Sequence, residues 1–192
     1  MNVLIVAATS FEITSDKIRK KPTLIMGVGM VNAAINITKE LMRNQYDLVI
    51  NMGVAGSFSE EIKNGDVVEV VEDCFSEIGF EEGLDFRYLS DFDLKISYKV
   101  YPKTKLKEVK SITVNTVHGS NTTIAKIIQR ENPGIESMEG ASVFKVCEEF
   151  NVACMQIRSI SNKVEERNKD NWDLDLAIRN LNIEVDKIID VL

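Results

Sequence analysis

Two glycine-spaced turns and one carboxylate are the places in this sequence where chemistry is easiest to imagine. GVGMVN, Gly27 to Asn32, follows an apolar run and opens a helical one. Glycines there leave backbone N–H groups free at a helix N-terminus, where an anion or a sugar hydroxyl is readily held. A tight strand-to-helix turn with no ligand would leave the same trace. A dinucleotide fingerprint is excluded: Asn32 stands at the third glycine position, and the next acid at the right distance, Asp47, precedes its strand instead of ending it. In the second turn, NMGVAG, Gly53, Val54 and Gly56 end another apolar run, and small residues at a strand end let a ligand approach the backbone closely. The carboxylate is Glu139, placed where the strand-like ESM gives way to a helix. A helix dipole favours a negative charge at that position, so an isolated glutamate there also reads as a cap.

These segments are positioned by alternating apolar runs and amphipathic helices, the pattern of an α/β domain with a covered sheet. Val3–Ala8, Thr23–Val28, Asp47–Gly53, Asp66–Val71, Ser111–Val117 and Val152–Ile160 read as strands, most of them apolar at consecutive positions as buried central strands are. Val31–Arg43, Asn121–Arg130, Glu139–Phe150 and a last run from about Asp173 carry apolar residues at three and four spacing and read as helices. Glu72 to Lys110 shows no sustained period, and no structure is forced on it. Two basic stretches, Lys17 to Lys21 and Lys103 to Lys110, read as solvated surface.

At 192 residues the chain is read as one domain, 1–192. With 30 acidic and 23 basic residues its formal charge is −7, a sign that repels phosphate backbones and anionic head groups and argues against nucleic-acid and membrane partners. The N-terminus has no basic leader, and the longest uncharged stretch, Pro22 to Thr38, is too short and too polar to cross a bilayer. Cys74, Cys147 and Cys154 form no CxxC pair, and a single histidine, His118, cannot complete a zinc site with them. The expectation is a cytoplasmic protein with no metal and no cofactor.

Taken together and in order, four motifs resemble the nucleoside phosphorylase and nucleosidase superfamily. They are the first strand with Glu12; G-x-G-x-x-N-A-A at Gly27 to Ala34; N-x-G-x-A-G at Asn51 to Gly56 followed by Gly65-Asp66-Val67-Val68; and S-M-E-G-A at Ser137 to Ala141 with Arg158-Ser159-Ile160-Ser161-Asn162. Within that superfamily the ISN-x-V-x-x-R-x-x-x-x-W run, Ile160 to Trp172, is most similar to the futalosine hydrolases. The resemblance implies a single-domain α/β/α sandwich with a mixed central sheet. It also implies cleavage of the N-glycosidic bond of futalosine, releasing hypoxanthine in menaquinone biosynthesis. The partner is then a small purine nucleoside, and the protein is expected to be a homo-oligomer, most simply a dimer. An adenosine-type nucleosidase, a purine nucleoside phosphorylase and a catalytically silent nucleoside-binding protein are the alternatives.

Cleaving such a bond passes through a ribosyl cation, so a catalyst must hold the sugar, stabilise charge leaving with the base and present a nucleophile on the opposite face. The resemblance assigns Glu12 to activating water, Met138 and Glu139 to the ribose, and Asn162 to the base. Gly53, Val54, Ser137 and Arg158 come with the motifs, and Val117 and His118 stand where relatives often stack an aromatic on the purine. An asparagine amide at 162 can donate to O6 and N7 of a 6-oxopurine, whereas it would oppose the donor N6 of adenine. No arginine lies in the early loops except Arg19, so water is expected in place of phosphate. The superfamily's V-E-M-E is E-S-M-E here, and Glu136 receives no role.

Overall fold

The computed structural model describes residues 1–83, 85–89 and 92–192; Leu84, Ser90 and Asp91, inside the stretch without a sequence period, lie outside the described residues. The strands are β1 (Val3–Ala7), β2 (Thr23–Ile25), β3 (Leu48–Ser57), β4 (Val67–Phe75), β5 (Gly79–Glu82), β6 (Asp85–Tyr88), β7 (Ser97–Lys99), β8 (Lys107–Thr113), β9 (Ile135–Ser137) and β10 (Ala153–Lys163). The helices are α1 (Asp16–Arg19), α2 (Met30–Leu41), α3 (Asn121–Glu131), α4 (Gly140–Glu149) and α5 (Leu174–Val191).

The main sheet runs β10-β4-β8-β9-β3-β1-β2, with β7 beside β4, and β10 also pairs β3, so β3, β10, β4, β8 and β9 close into a ring. Strand β3 makes this possible through its length. Its first half pairs β1 on one side, its last two residues pair β9 on that same side, and β10 runs parallel along the other. The sheet is mixed, since β10–β4, β3–β9 and β4–β7 are antiparallel and the other pairs parallel. Pleating in β1 shows how it is covered: Leu4 and Val6 join the apolar cluster that holds Ala33 and Ile37 of α2 and Phe144 of α4, while Ile5 and Ala7 join the one that holds Leu181, Val185 and Ile188 of α5. With period-2 side chains buried on both faces, the domain is an α/β/α sandwich.

Helix boundaries fall within about two residues of the sequence reading, as cap positions usually do. The second glycine segment is not a turn, since β3 continues through Gly53–Gly56 to Ser57, the short α1 was not expected, and β2 and β4 end at Ile25 and Phe75 in place of Val28 and Val71. Three further features differ. The Ser111–Val117 strand is displaced to Lys107–Thr113, because its neighbour β9 is only three residues long and ends at Ser137, which leaves Val114–His118 as a loop. The aperiodic Glu72–Lys110 stretch contains the end of β4, the β5–β6 hairpin, β7 and the start of β8. Within the basic clusters, Lys110 is not simply solvated: its Nζ donates to the Glu131 carbonyl at 2.9 Å and faces the Glu131 and Glu72 carboxylates. Among the described residues no helix is long and apolar enough to cross a membrane.

Candidate active site

A cavity of about 580 Å³ opens at the carboxyl ends of β1, β3, β9 and β10. Sheets of this kind bind ligands outside the carboxyl ends of their strands. Glu12 enters from the 3-10 turn Ser10–Glu12 just after β1 and is nearly buried. Its Oε2 accepts the Thr9 N–H at 2.9 Å and the Thr9 hydroxyl at 3.3 Å, and its Oε1 accepts the Val54 N–H at 3.1 Å, so the carboxylate is fixed while Oε1 keeps an acceptor direction to spare. Gly53 is what allows this approach: a Cβ there would lie 2.9 Å from Glu12 Oε1 and 3.2 Å from Arg158 Nη1. From the other side Asn182 of α5, also buried, donates to the Glu12 carbonyl at 2.9 Å and accepts the N–H groups of Thr14 and Ser15. This loop is therefore tied to a helix 170 residues away.

Glu139 stands at the N-cap position of α4, but its side chain makes no capping bond. Instead its Oε1 accepts the Gly29 N–H at 2.8 Å. The free amide left by the Gly27–Asn32 turn thus serves the protein's own carboxylate, and Gly29, at φ +90°, has a backbone conformation that other residues rarely adopt. Burial pushes the Glu139 carboxyl above its ordinary value, opposed by the Gly29 N–H and the charge of Arg158 and reinforced by Glu12.

Asn162 reaches the cavity through a β-bulge. The pairing of β10 with β3 slips between Ile160 and Asn162, and such bulges commonly re-aim side chains beside active sites. The Asn162 Oδ1 accepts the Ser161 hydroxyl at 2.8 Å and its Nδ2 donates to the Lys163 carbonyl at 2.9 Å, leaving one amide hydrogen uncommitted by these bonds. Val54, Val117, His118, Ser137 and Met138 also line the cavity, and the Ser137 hydroxyl is buried there with no partner among the described residues. Glu12, Glu139 and Asn162 are thus brought to one cavity.

A model of the phosphorylase superfamily matches residues 7–192. The chain belongs to the phosphorylase superfamily. Futalosine hydrolase of Thermus thermophilus is 26% identical over 159 residues, covering 76% of this chain and 71% of that protein. A 5'-methylthioadenosine/S-adenosylhomocysteine nucleosidase of Desulfotalea psychrophila is 33% identical over 153 residues, covering 73% of this chain and 65% of that one. In fold, the chain superposes with a TM-score of 0.80 on the Neisseria meningitidis 5'-methylthioadenosine/S-adenosylhomocysteine nucleosidase solved with methylthio-immucillin-A, at 18% identity and covering 99% of both chains. Native Helicobacter pylori futalosine hydrolase gives 0.77 at 18% identity, covering 99% of this chain and 97% of that one. These relatives are N-glycosyl hydrolases, in agreement with the enzyme class expected from the sequence.

Two residues that the motifs suggest for substrate binding do not line the cavity of this superfamily member. Gly53 lies behind Glu12, and Arg158 is 1% exposed, with its Nη1 donating to the Asn51 side chain at 3.2 Å. Arg158 belongs to a buried polar network: Asn51 donates to Gln156, Gln156 donates to Asp73, and Thr113 both donates to Asp73 and accepts the N–H of Ala141 in the first turn of α4. Burial raises the Asp73 carboxyl to about 6 against the lowering effect of these donors. The network thus fastens the helix that carries Glu139 to the sheet. Arg19, the early-loop arginine, faces the Ile13 carbonyl and Asp16, away from the cavity. Sequence reasoning missed Phe11, Trp172 and Ile178 as lining residues and left Glu136 without a role, although it is buried at the cavity wall. The spacing of Trp172 in the closing motif marks it, whereas Ile178 is indistinguishable from the core positions of α5.

Proposed function

We propose that this protein is a purine nucleosidase that hydrolyses futalosine to hypoxanthine and the dehypoxanthinyl sugar. The observation that carries the reading is the convergence of Glu12, Glu139 and Asn162 on one cavity at the strand ends. Glu139 accepts the ribose hydroxyls in charge-assisted bonds that strengthen as positive charge develops on the sugar. Met138 supplies the apolar surface beneath it. As the C1′–N9 bond breaks, the electron pair leaves with the base, and Asn162 stabilises the resulting anion by directing its one uncommitted amide hydrogen between O6 and N7. Glu12 takes a proton from water as its oxygen bonds to C1′, and the hypoxanthine anion recovers a proton from solvent. Arg158 acts from behind, its charge beside Glu139 helping to keep that carboxyl ionised.

Water is favoured over phosphate because the early-loop arginine points away from the site. A second reading, a 5'-methylthioadenosine/S-adenosylhomocysteine nucleosidase, is favoured by the 33% identical relative of that name. Incubation with futalosine, methylthioadenosine, S-adenosylhomocysteine and inosine, with and without phosphate, separates the readings. Release of hypoxanthine from futalosine without phosphate is expected. Preferential release of adenine supports the second reading, and a ribose 1-phosphate product makes the protein a phosphorylase. We further propose a two-fold homodimer in the cytoplasm. Exposed Val31 and Ile35 on one face of α2, with Val28 at the cavity edge, support the dimer, and the three free, buried thiols suit a reducing compartment. Sedimentation at assay concentration as a fully active monomer would remove the dimer.

A further inference from the structure

The cavity contains one buried carboxylate that the reaction above leaves idle. Glu136 is 4% exposed and sits on β9 directly opposite Gly56 of β3. It is held by a single residue: Oε1 accepts the backbone N–H of His118 at 3.0 Å, and Oε2 faces the His118 Nδ1 at 2.6 Å. A carboxylate only accepts, so Nδ1 carries the hydrogen of that bond, and each oxygen still has an acceptor direction to spare. What makes this more than a tether is the neighbour. A Cβ built on Gly56 would lie 3.2 Å from Asn162 Nδ2 and 3.7 Å from Glu136 Cγ. With Val164 Cγ2 at 2.9 Å from the same point, Gly56 is thus the place where the amide donor of Asn162 and the side chain of Glu136 approach one another, both in the lining of the same cavity.

That order of donor and acceptor matches one kind of purine edge and opposes the other. A 6-oxopurine presents two acceptors, N7 and O6, followed by a donor, the N1 hydrogen. A 6-aminopurine presents the same acceptor N7 but then the donor N6 and the N1 lone pair, so Asn162 would face a donor at position 6 and Glu136 an acceptor at N1. Unpaired buried polar groups penalise the wrong partner far more than an extra apolar contact would. We infer that Glu136 is a specificity-determining residue, accepting the N1 hydrogen of a 6-oxopurine while the free amide hydrogen of Asn162 is shared between O6 and N7, with His118 as the positioning residue that fixes the carboxylate. The inference rests on the purine nucleosidase reading but concerns the base alone, whatever the sugar carries.

The test uses binding of free bases by the intact protein, measured by calorimetry, so that it does not depend on turnover. Wild type is expected to bind hypoxanthine at least about tenfold more tightly than adenine, and Glu136→Gln to lose on the order of ten- to a hundredfold toward hypoxanthine, the usual range for a charge-assisted bond. Adenine, which the glutamine amide can serve by donating to N1, should bind the variant no less tightly than wild type. Equal losses for both bases would assign Glu136 a structural role through His118 and overturn the inference. A variant that fails to fold does not end the test. 1-Methylhypoxanthine keeps O6 and N7 but lacks the N1 hydrogen, and wild type should bind it at least about tenfold more weakly than hypoxanthine; equal affinity would overturn the inference. Failure of the nucleosidase reading would show separately, as absence of glycosidic cleavage in a protein that still binds purine bases.

Discussion

Replacing Glu139 by Gln should separate activity from stability, because the structure gives the carboxylate little to do for the fold. Its side chain makes no capping bond to α4, and its hydrogen bond is to the Gly29 N–H, which the carbonyl oxygen of a glutamine can accept at the same 2.8 Å. Burial and neighbouring Glu12 disfavour the charged form, whereas the Gly29 N–H and Arg158 favour it, so a neutral isostere removes a desolvation penalty and also an attraction to Arg158. The two effects oppose each other, and stability should change by no more than about 1 kcal/mol, or roughly 2–4 °C in Tm for a chain of this size. Activity should respond very differently. The carboxylate's bonds to the ribose strengthen as the sugar becomes cationic, and losing such a contact reduces kcat on the order of 10²- to 10³-fold. Acidification provides a second readout. The ionised form works only above its pKa, and that pKa is raised, so wild-type activity should fall on acidification at a higher pH than an ordinary glutamate would give, and the Gln variant should lack this limb. Thermal melts with steady-state kinetics from pH 4 to 8 decide the matter. An unchanged kcat, or a Tm lowered by many degrees, would show that Glu139 is structural.

Three further outcomes follow from the same geometry. Asn162→Ala should lose on the order of 10² to 10³ in kcat on a hypoxanthine nucleoside, and Asn162→Asp should move the ratio of rates toward 6-aminopurine nucleosides, most clearly at mildly acidic pH; an unchanged ratio in a paired kinetic assay would mean that Asn162 does not read the base. Gly53→Ala places a methyl 2.9 Å from Glu12 Oε1, forcing apart a carboxylate held by two backbone amides, and should cost about 1–3 kcal/mol in urea unfolding and at least tenfold in kcat. Asp73 holds its proton up to about pH 6 when folded but only to about 3.8 when unfolded, so between those values the unfolded state binds fewer protons and stability falls as pH rises, by on the order of 3 kcal/mol from this group; urea unfolding of Asp73→Asn at pH 4 to 7 should lack that component, and parallel curves for the two proteins would refute it.

Much of the fold was legible because its strands are covered on both faces and its helices on one, so that burial writes itself into the sequence as consecutive apolar runs and as three and four spacing. Where the sequence failed, burial was partial or the element too short to have a period. Strand β9 has three residues, and the β5–β6 hairpin alternates charge with aromatics, both faces being only partly covered. The Gly27–Asn32 turn was readable as a place where backbone amides are free, but not whose anion it would meet, and the Gly53–Gly56 segment read as a turn is the end of β3. The partner of Gly29 lies 110 residues away, and pairing at that distance is fixed by topology, with α4 set beside α2 over the same face of the sheet. Arg158 shows the converse: its place in a motif says that it matters and is silent on whether it touches ligand, which only the burial of its guanidinium beneath Gly53 decides.

Glu136 shows what a departure from a motif can carry. In a strand, shifting a residue by one position turns its side chain to the other face, so a glutamate moved by one from the superfamily's pattern would ordinarily be expected to leave the site. Here β9 is a three-residue strand ending where the chain turns into α4, and alternation has no length over which to operate: Glu136, Ser137, Met138 and Glu139 all line the cavity. The shift therefore changes where in the cavity the carboxylate stands instead of removing it. Glu139 is bonded to the Gly29 N–H, whereas Glu136 is bonded to His118 and lies beside Gly56, so two acids three residues apart on the chain are held by different elements of one cavity wall. If Glu136 reads the base as inferred above, a sequence shift at the end of a short strand is a route by which this scaffold can alter its choice of base while the carboxylate at Glu139 stays in place.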